Sequence, residues 1–307
     1  MLRVRVSPVA HYTSLSSNWT RHRPFKSETR VQTPVEIHLT NGVDMIDVFG
    51  NRMKWYETEC KPSIMPSEQP ICIRLDGCNF SKFTKGLKKP FDPKLRQAMD
   101  ETTNALMHET GAIVGYTQSD EITLILFAKN AKSQVYYNGK RDKINSILAA
   151  KCTLAFREAA GNFLPDTHQK PVVFDCRCFS VPTINEAANC VIWRMHDCYR
   201  NAISMIGQSK YSHKSLHKQS SNDILKRLCA DGVELKSFPN DFRFGVLFYR
   251  DTLLCKFSAE DIEKLPMNHD ARKNPDLMYH RNVVFHQSLS SRVDSIHEIL
   301  QYFNMAQ

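Results

Sequence analysis

ICIRLDGCNFSKFTKG at residues 71–86 and AIVGYTQSDEITLILF at residues 112–127 bracket a helical pattern, and the three pieces together decide the fold. Each apolar run closes on a carboxylate beside a tight turn: Asp76 before Gly77, and Asp120 after Ser119. Between them the punctuation is that of a helix. Asp92-Pro93 supplies an N-cap and a first-turn proline, Leu95, Ala98, Met99, Thr102, Ala105 and Leu106 recur on one face, and Gly111 stands at the stop. The order is strand, helix, strand, turn, strand.

The same rhythm continues. Lys140 to Arg157 carries Ile144, Ile147, Leu148, Lys151, Leu154 and Ala155 at helical spacing, and Val172 to Val181 reads as a further strand. The fold class that follows is α+β: a ferredoxin-like βαββαβ, palm-type unit with additional C-terminal helices. A right-handed crossover followed by a hairpin returning between its two parallel strands places the end of the first strand beside the hairpin tip. Asp76 and Asp120 then share one edge of one sheet. Either aspartate alone reads first as a turn former, and it is their pairing at one sheet edge that sets the functional reading level with that one. Two carboxylates in a partly dry site repel each other unless a cation lies between them, and hard divalent ions such as Mg²⁺ bring phosphates with them. This is the layout of two-metal nucleotidyl transfer, with ions roughly 3.5 to 4 Å apart.

ICIRLDGCNFSKFTKG, KKPFD (88–92) and YTQSDEITLIL (116–126) resemble the catalytic domain of the tRNA(His) guanylyltransferase family, whose pattern is R-x-D-G-x-x-F-x-x-F-T, then K-P-x-D, then Y-x-Q-S-D-E. Phe174-Asp175-Cys176-Arg177 and Trp193-Arg194-Met195-His196-Asp197-Cys198 are similar to its later blocks, so the likeness runs from about Val43 to Tyr249. One departure stands out. Members acting on tRNA(His) continue Asp-Cys with His-Ile-Asn-Asn, where this chain has Tyr199-Arg200-Asn201-Ala202. Together with Tyr211 to His217, that departure resembles the guanylyltransferase-like branch, which repairs 5′ ends of tRNAs.

The resemblance implies an enzyme that adds nucleotides in the 3′–5′ sense. ATP first adenylylates the 5′-monophosphate of the RNA, and the 3′-hydroxyl of an incoming NTP then attacks that end and releases AMP. Asp76 and Asp120 become the catalytic residues, and with Gly77, through its carbonyl oxygen, they hold two Mg²⁺ ions. Residues Asp76, Gly77, Cys78, Asn79, Phe80 and Ser81, with Ser119 and Asp120, hold the nucleotide. The loop's backbone N–H groups suit a triphosphate cradle, and Lys89 in the K-P-F-D match is a triphosphate contact. Glu121 points to the face opposite its neighbour Asp120 and is assigned a supporting role. The implied partners are tRNA, ATP and GTP or other NTPs, and a homotetramer is carried over from the family. Rival readings are addition of G to tRNA(His), a nucleotide cyclase of the same palm architecture, and a non-catalytic RNA-binding module.

The rest of the chain supports a polyanionic partner without naming one. Its 307 residues carry a formal net charge of +9, and no apolar run approaches the length of a membrane span. Ten cysteines form no CxxC pair and read as reduced thiols. No acidic residue precedes Glu28, while Arg3, Arg5, Arg21, Arg23 and Lys26 alternate with Ser and Thr. Residues 1–44 therefore read as an extension of mitochondrial transit-peptide composition, with a disordered tail or an upstream start as alternatives. A short helix is expected from Asp47 to Cys60, a palm-like catalytic domain over 45–185, and a helical C-terminal region over 186–307. In that region Cys190 to Gln208 forms a long helix. Arg194, Arg200 and Asn201 on it, and Lys210, His213, Lys214 and His217 in the loop beyond, are candidate RNA contacts. Phe242 to Tyr249 reads as a strand, with amphipathic helices near 259–265 and 295–303.

Overall fold

The computed structural model describes residues 63–128, 135–167, 169–274, 276–293 and 295–304. The extension over 1–44 and the helix expected at Asp47–Cys60 lie outside them. Strand β1 (Ile71–Gly77) leads through the one-turn helix α1 (Phe80–Phe83) into α2 (Pro93–Thr110), followed by the hairpin β2 (Val114–Gln118) and β3 (Glu121–Leu126). Then come α3 (Arg141–Phe163) and β4 (Phe174–Ser180). The strands lie in the order β4-β1-β3-β2 with every neighbouring pair antiparallel, so β1 and β2 run parallel with β3 between them. This is the ferredoxin-like unit the spacing predicts.

Local chemistry sets the boundaries of α2. The Asp92 side chain accepts the Lys94 N–H at 2.9 Å, and Gly111 ends the helix in the left-handed region at φ 69°. Strand alternation then divides the core in two. Ile71, Ile73 and Leu75 face Met99, Leu106, Leu148 and Phe156 on one side of the sheet. Cys72, Tyr116 and Ile125 face the opposite layer, built on α4 (Ile184–Lys210) through Val191, Met195 and Cys198.

The C-terminal region departs from the helical expectation. It contains α5 (His213–Leu216), α6 (Ser221–Ala230) and α7 (Asn240–Phe244), and then two eleven-residue strands, β5 (Val246–Lys256) and β6 (Met278–Ser288). β5 pairs with β2 through Val114↔Tyr249 to Thr117↔Val246, so the palm sheet grows to six strands instead of ending at residue 185. Phe242 and Phe244 belong to α7, because Gly245 at φ 76° breaks the chain there before the strand begins. Short helices α8 (Ala259–Lys264) and α9 (Asp270–Lys273) join the two strands, and α10 (Ile296–Asn304) packs Ile299 and Phe303 beneath the α4 side of the sheet. No helix among the described residues is long and apolar enough to cross a membrane. The described cysteines are free.

A buried ion pair fastens α4 to the sheet. Arg194 Nε and Nη2 donate to Glu121 Oε1 and Oε2 at 2.5 and 2.7 Å, and Nη2 also reaches Asp197 at 2.8 Å. Arg194→Ala would leave the Glu121 charge buried and unpaired, which costs about 3–5 kcal/mol. A urea denaturation midpoint shifted accordingly is the expected outcome.

Candidate active site

The end of β1 meets the tip of the β2–β3 hairpin. The Gly77 N–H donates to the Asp120 carbonyl at 3.1 Å, and Asp76 lies in register with Glu121 on one side and Asp175 on the other. Register partners share a face, so Asp76, Glu121 and Asp175 form a row across β3, β1 and β4. Glu121 thus stands on the same face as Asp76, while its charge is taken up by Arg194. Asp120 approaches from the turn, where Ser119 adopts φ 49° and its hydroxyl donates to Asp120 Oδ1 at 3.0 Å. A Cβ on Gly77 would collide with the Phe80 ring and lie 3.0 Å from Asp120 Oδ2. Glycine at 77 makes room chiefly for the Phe80 ring and leaves the Asp120 carboxylate close to the strand end.

Charge is unevenly balanced along this edge. Glu121 is neutralised by Arg194, and Asp175 accepts from Arg177 at 2.9 Å. Asp76 has only a distant contact with Arg177, at 3.9 Å, and Asp120 has no ion pair among the described residues. Burial pushes the Asp120 carboxyl up to about 6, with the Ser119 hydroxyl pulling down and the Asp76 charge pushing further up. Burial and then Asp175 raise Asp76, against Arg177, Arg74 and Arg194. Two crowded carboxylates short of positive charge fit a hard cation. Among the described residues no three His, Cys, Asp or Glu side chains form a metal cluster. A cation here would complete its shell with backbone carbonyl, phosphate and water oxygens, as Mg²⁺ commonly does.

The segment after Gly77 differs in part from the expected open cradle. It is the single turn α1, entered through Asn79 at φ 52°. The Cys78 N–H is already committed to the Val173 carbonyl at 2.9 Å. The Phe80 ring is buried against Phe83, Phe156 and Phe174. Cys78 therefore cannot offer its N–H to a phosphate, and Phe80 faces a ligand through its backbone alone. Asn79 and Ser81 are exposed.

Beside this turn lies a cavity of about 470 Å³ lined by Ser81, Lys89, Asp92, Gln118, Asp120 and Asn201 among others. Lys89 and Asn201 thus share the wall of one cavity with Asp120. Gln118, which the sequence did not single out, is 3% exposed, and its Oε1 is buried without a hydrogen-bond partner. Of the candidate RNA contacts, Arg194 is corrected: it is 5% exposed and bound by Glu121 and Asp197. Arg200 is exposed and paired with Asp197. Lys210, His213, Lys214 and His217 are exposed around the end of α4 and α5.

A family model described as tRNAHis guanylyltransferase matches residues 50–182. The chain is 28% identical over 229 residues to tRNA(His) guanylyltransferase 1 of Arabidopsis thaliana, covering 69% of this chain and 38% of that protein. A solved bacterial tRNA(His) guanylyltransferase-like protein in complex with ATP superposes with a TM-score of 0.61 at 32% identity, over 66% of this chain and 87% of the other. A second, in complex with GTP, gives 0.62 at 25% identity over 84% and 99%. The chain spans 60%, 38% and 35% of the length of three curated relatives that it matches.

The Asp120 carboxyl makes a signed prediction. A carboxyl whose folded-state pKa lies above its ordinary value of 3.8 favours folding while protonated, and that contribution is lost as pH rises through about 6. In buffer containing a chelator, Asp120→Asn is expected to melt at a higher temperature than wild type at pH 8. The gap should narrow as pH falls from 7 towards 4. A gap independent of pH across thermal melts would refute the upward shift that burial imposes on Asp120.

Proposed function

This chain belongs to the tRNA(His) guanylyltransferase family, and from that premise we propose that it is a nucleotidyltransferase that adds nucleotides to the 5′ end of tRNA in the 3′–5′ direction. The carrying observation is the meeting of Asp76 and Asp120 at one sheet edge with too little positive charge to balance them. In this reading the two carboxylates and the Gly77 carbonyl hold two Mg²⁺ ions. Bound there, the ions would polarise phosphoryl oxygens and favour the deprotonated attacking hydroxyl.

The chain's own residues position the reactants. Asn79, Ser81 and Ser119 with Lys89 meet the triphosphate, and the cavity walled by Gln118 and Asn201 receives the base. The unpartnered Gln118 carbonyl oxygen seeks a donor, which the N–H groups of a purine supply. The reaction runs in two displacements. The 5′-phosphate attacks ATP and releases pyrophosphate, and the 3′-hydroxyl of the incoming NTP then attacks the adenylylated end, loses its proton and expels AMP. Complexes of similar proteins with ATP and with GTP support both nucleotide steps. Tyr199-Arg200-Asn201-Ala202 in place of His-Ile-Asn-Asn favours repair of truncated 5′ ends over addition of the tRNA(His) identity nucleotide. The composition of residues 1–44 favours a mitochondrial location.

Incubation with a 5′-monophosphorylated tRNA lacking its first nucleotide, ATP, NTPs and Mg²⁺, followed by sizing of the 5′ end, tests the proposal. Extension by the missing nucleotide is expected. It should stop with a chelator and fall more than about a hundredfold in Asp76→Ala and Asp120→Ala. Extension that survives either substitution would remove the assignment.

A further inference from the structure

The sheet corner on the far side of Asp76 from the cavity is half open. On the α4-facing side, β1 presents Cys72, Arg74 and Asp76, and β4 sets Phe179, Arg177 and Asp175 opposite them. α4 covers Cys72 but stops short of the rest: Phe179 is 39% exposed and Trp193, which reaches out from α4, is 47% exposed. Single exposed aromatics are ordinary on protein surfaces. Trp193 differs in being held in place. The Arg194 guanidinium lies 4.4 Å from its ring centre and is itself fixed by Glu121 and Asp197. The Arg74 guanidinium lies 5.6 Å from the same ring. Arg74 forms no close ion pair among the described residues; its charge is met only at longer range, by Asp76 two residues on, about 7 Å along the strand, and by Glu121.

A pre-oriented, half-exposed aromatic ring with a guanidinium free of any close ion pair, at an open corner of a sheet, is the arrangement with which proteins hold unpaired nucleobases and the phosphates attached to them. Neither Arg74 nor Trp193 lines the cavity assigned to the incoming nucleotide. The base they face therefore comes from the other reactant. We propose that Trp193 is a stacking platform for the nucleobase at the 5′ end of the RNA, with Arg74 drawing the adjoining phosphate towards Asp76. This rests on the nucleotidyl-transfer reading of the site and adds to it a place for the acceptor end, separate from that of the NTP.

The test uses the full chain with Trp193 as its sole tryptophan, through Trp19→Phe and Trp55→Phe. Titration with the 5′-truncated, 5′-monophosphorylated tRNA is expected to quench its fluorescence, whereas ATP or GTP alone leaves it unchanged. By fluorescence anisotropy, Trp193→Ala should weaken RNA binding at least about tenfold and Trp193→Phe less than about threefold, with nucleotide affinity unaltered. Quenching by NTP but not RNA overturns the proposal. So does an RNA affinity that Trp193→Ala leaves unchanged, or one that Trp193→Phe reduces as much as Trp193→Ala does. If Trp193→Ala fails to fold, the quenching and the RNA affinity of Trp193→Phe relative to wild type decide alone, a loss well above about threefold counting against the proposal. RNA binding that passes these tests in a wild-type protein that adds no nucleotide would refute the transfer reaction and leave the stacking site standing.

Discussion

One backbone hydrogen bond holds the site together: the Gly77 N–H to the Asp120 carbonyl, at 3.1 Å. It joins the end of β1 to the tip of a hairpin some forty residues later, and the split crossover topology exists to make that meeting possible. The adjoining ladder, Asp76↔Glu121 to Ile71↔Leu126, fixes the register. A slip by one residue would send Ile71, Ile73 and Leu75 out of the helix-facing core and swing Asp76 into it. The hydrophobic pattern thus enforces the position of a polar group, because burying three large side chains outweighs any local preference of the turn.

Electrostatics then sorts the acids by role. Glu121 and Asp175 flank Asp76, yet each has its own arginine, on α4 and on β4 respectively. Those pairs position neighbours. Glu121 holds Arg194, which supports Trp193, and Asp175 holds Arg177 near Asp76. What remains is a deficit of positive charge at Asp76 and Asp120, in a place that burial makes costly to leave uncompensated. In the proposed reaction a divalent cation carrying phosphates would remove that cost at the moment of binding.

The four-strand core and its paired aspartates were legible because the signals are local and redundant: alternation at Ile71, Ile73 and Leu75, the Asp92 cap and the Gly111 stop all point one way. Strand β5 was legible only at its start, within Phe242 to Tyr249, and β6 was hidden. β6 alternates weakly between exposed and half-buried positions and pairs only with β5, so its sequence carries little apolar period. Arg194 looked like a surface cation because its partner Glu121 lies 73 residues away and no local pattern announces the pairing. The commitment of the Cys78 N–H to Val173, and the vacant acceptor of Gln118, likewise depend on tertiary neighbours. Trp193 could be read as part of a family block but not as exposed beside an unpaired Arg74.

The most direct measurement is a crystal structure of the chain grown with Mn²⁺ and a non-hydrolysable ATP analogue, with data collected for anomalous scattering from manganese. Anomalous peaks are predicted within about 2.0–2.3 Å of carboxylate oxygens of both Asp76 and Asp120, with triphosphate oxygens completing the shell. A triphosphate bound with manganese touching neither aspartate would contradict the account.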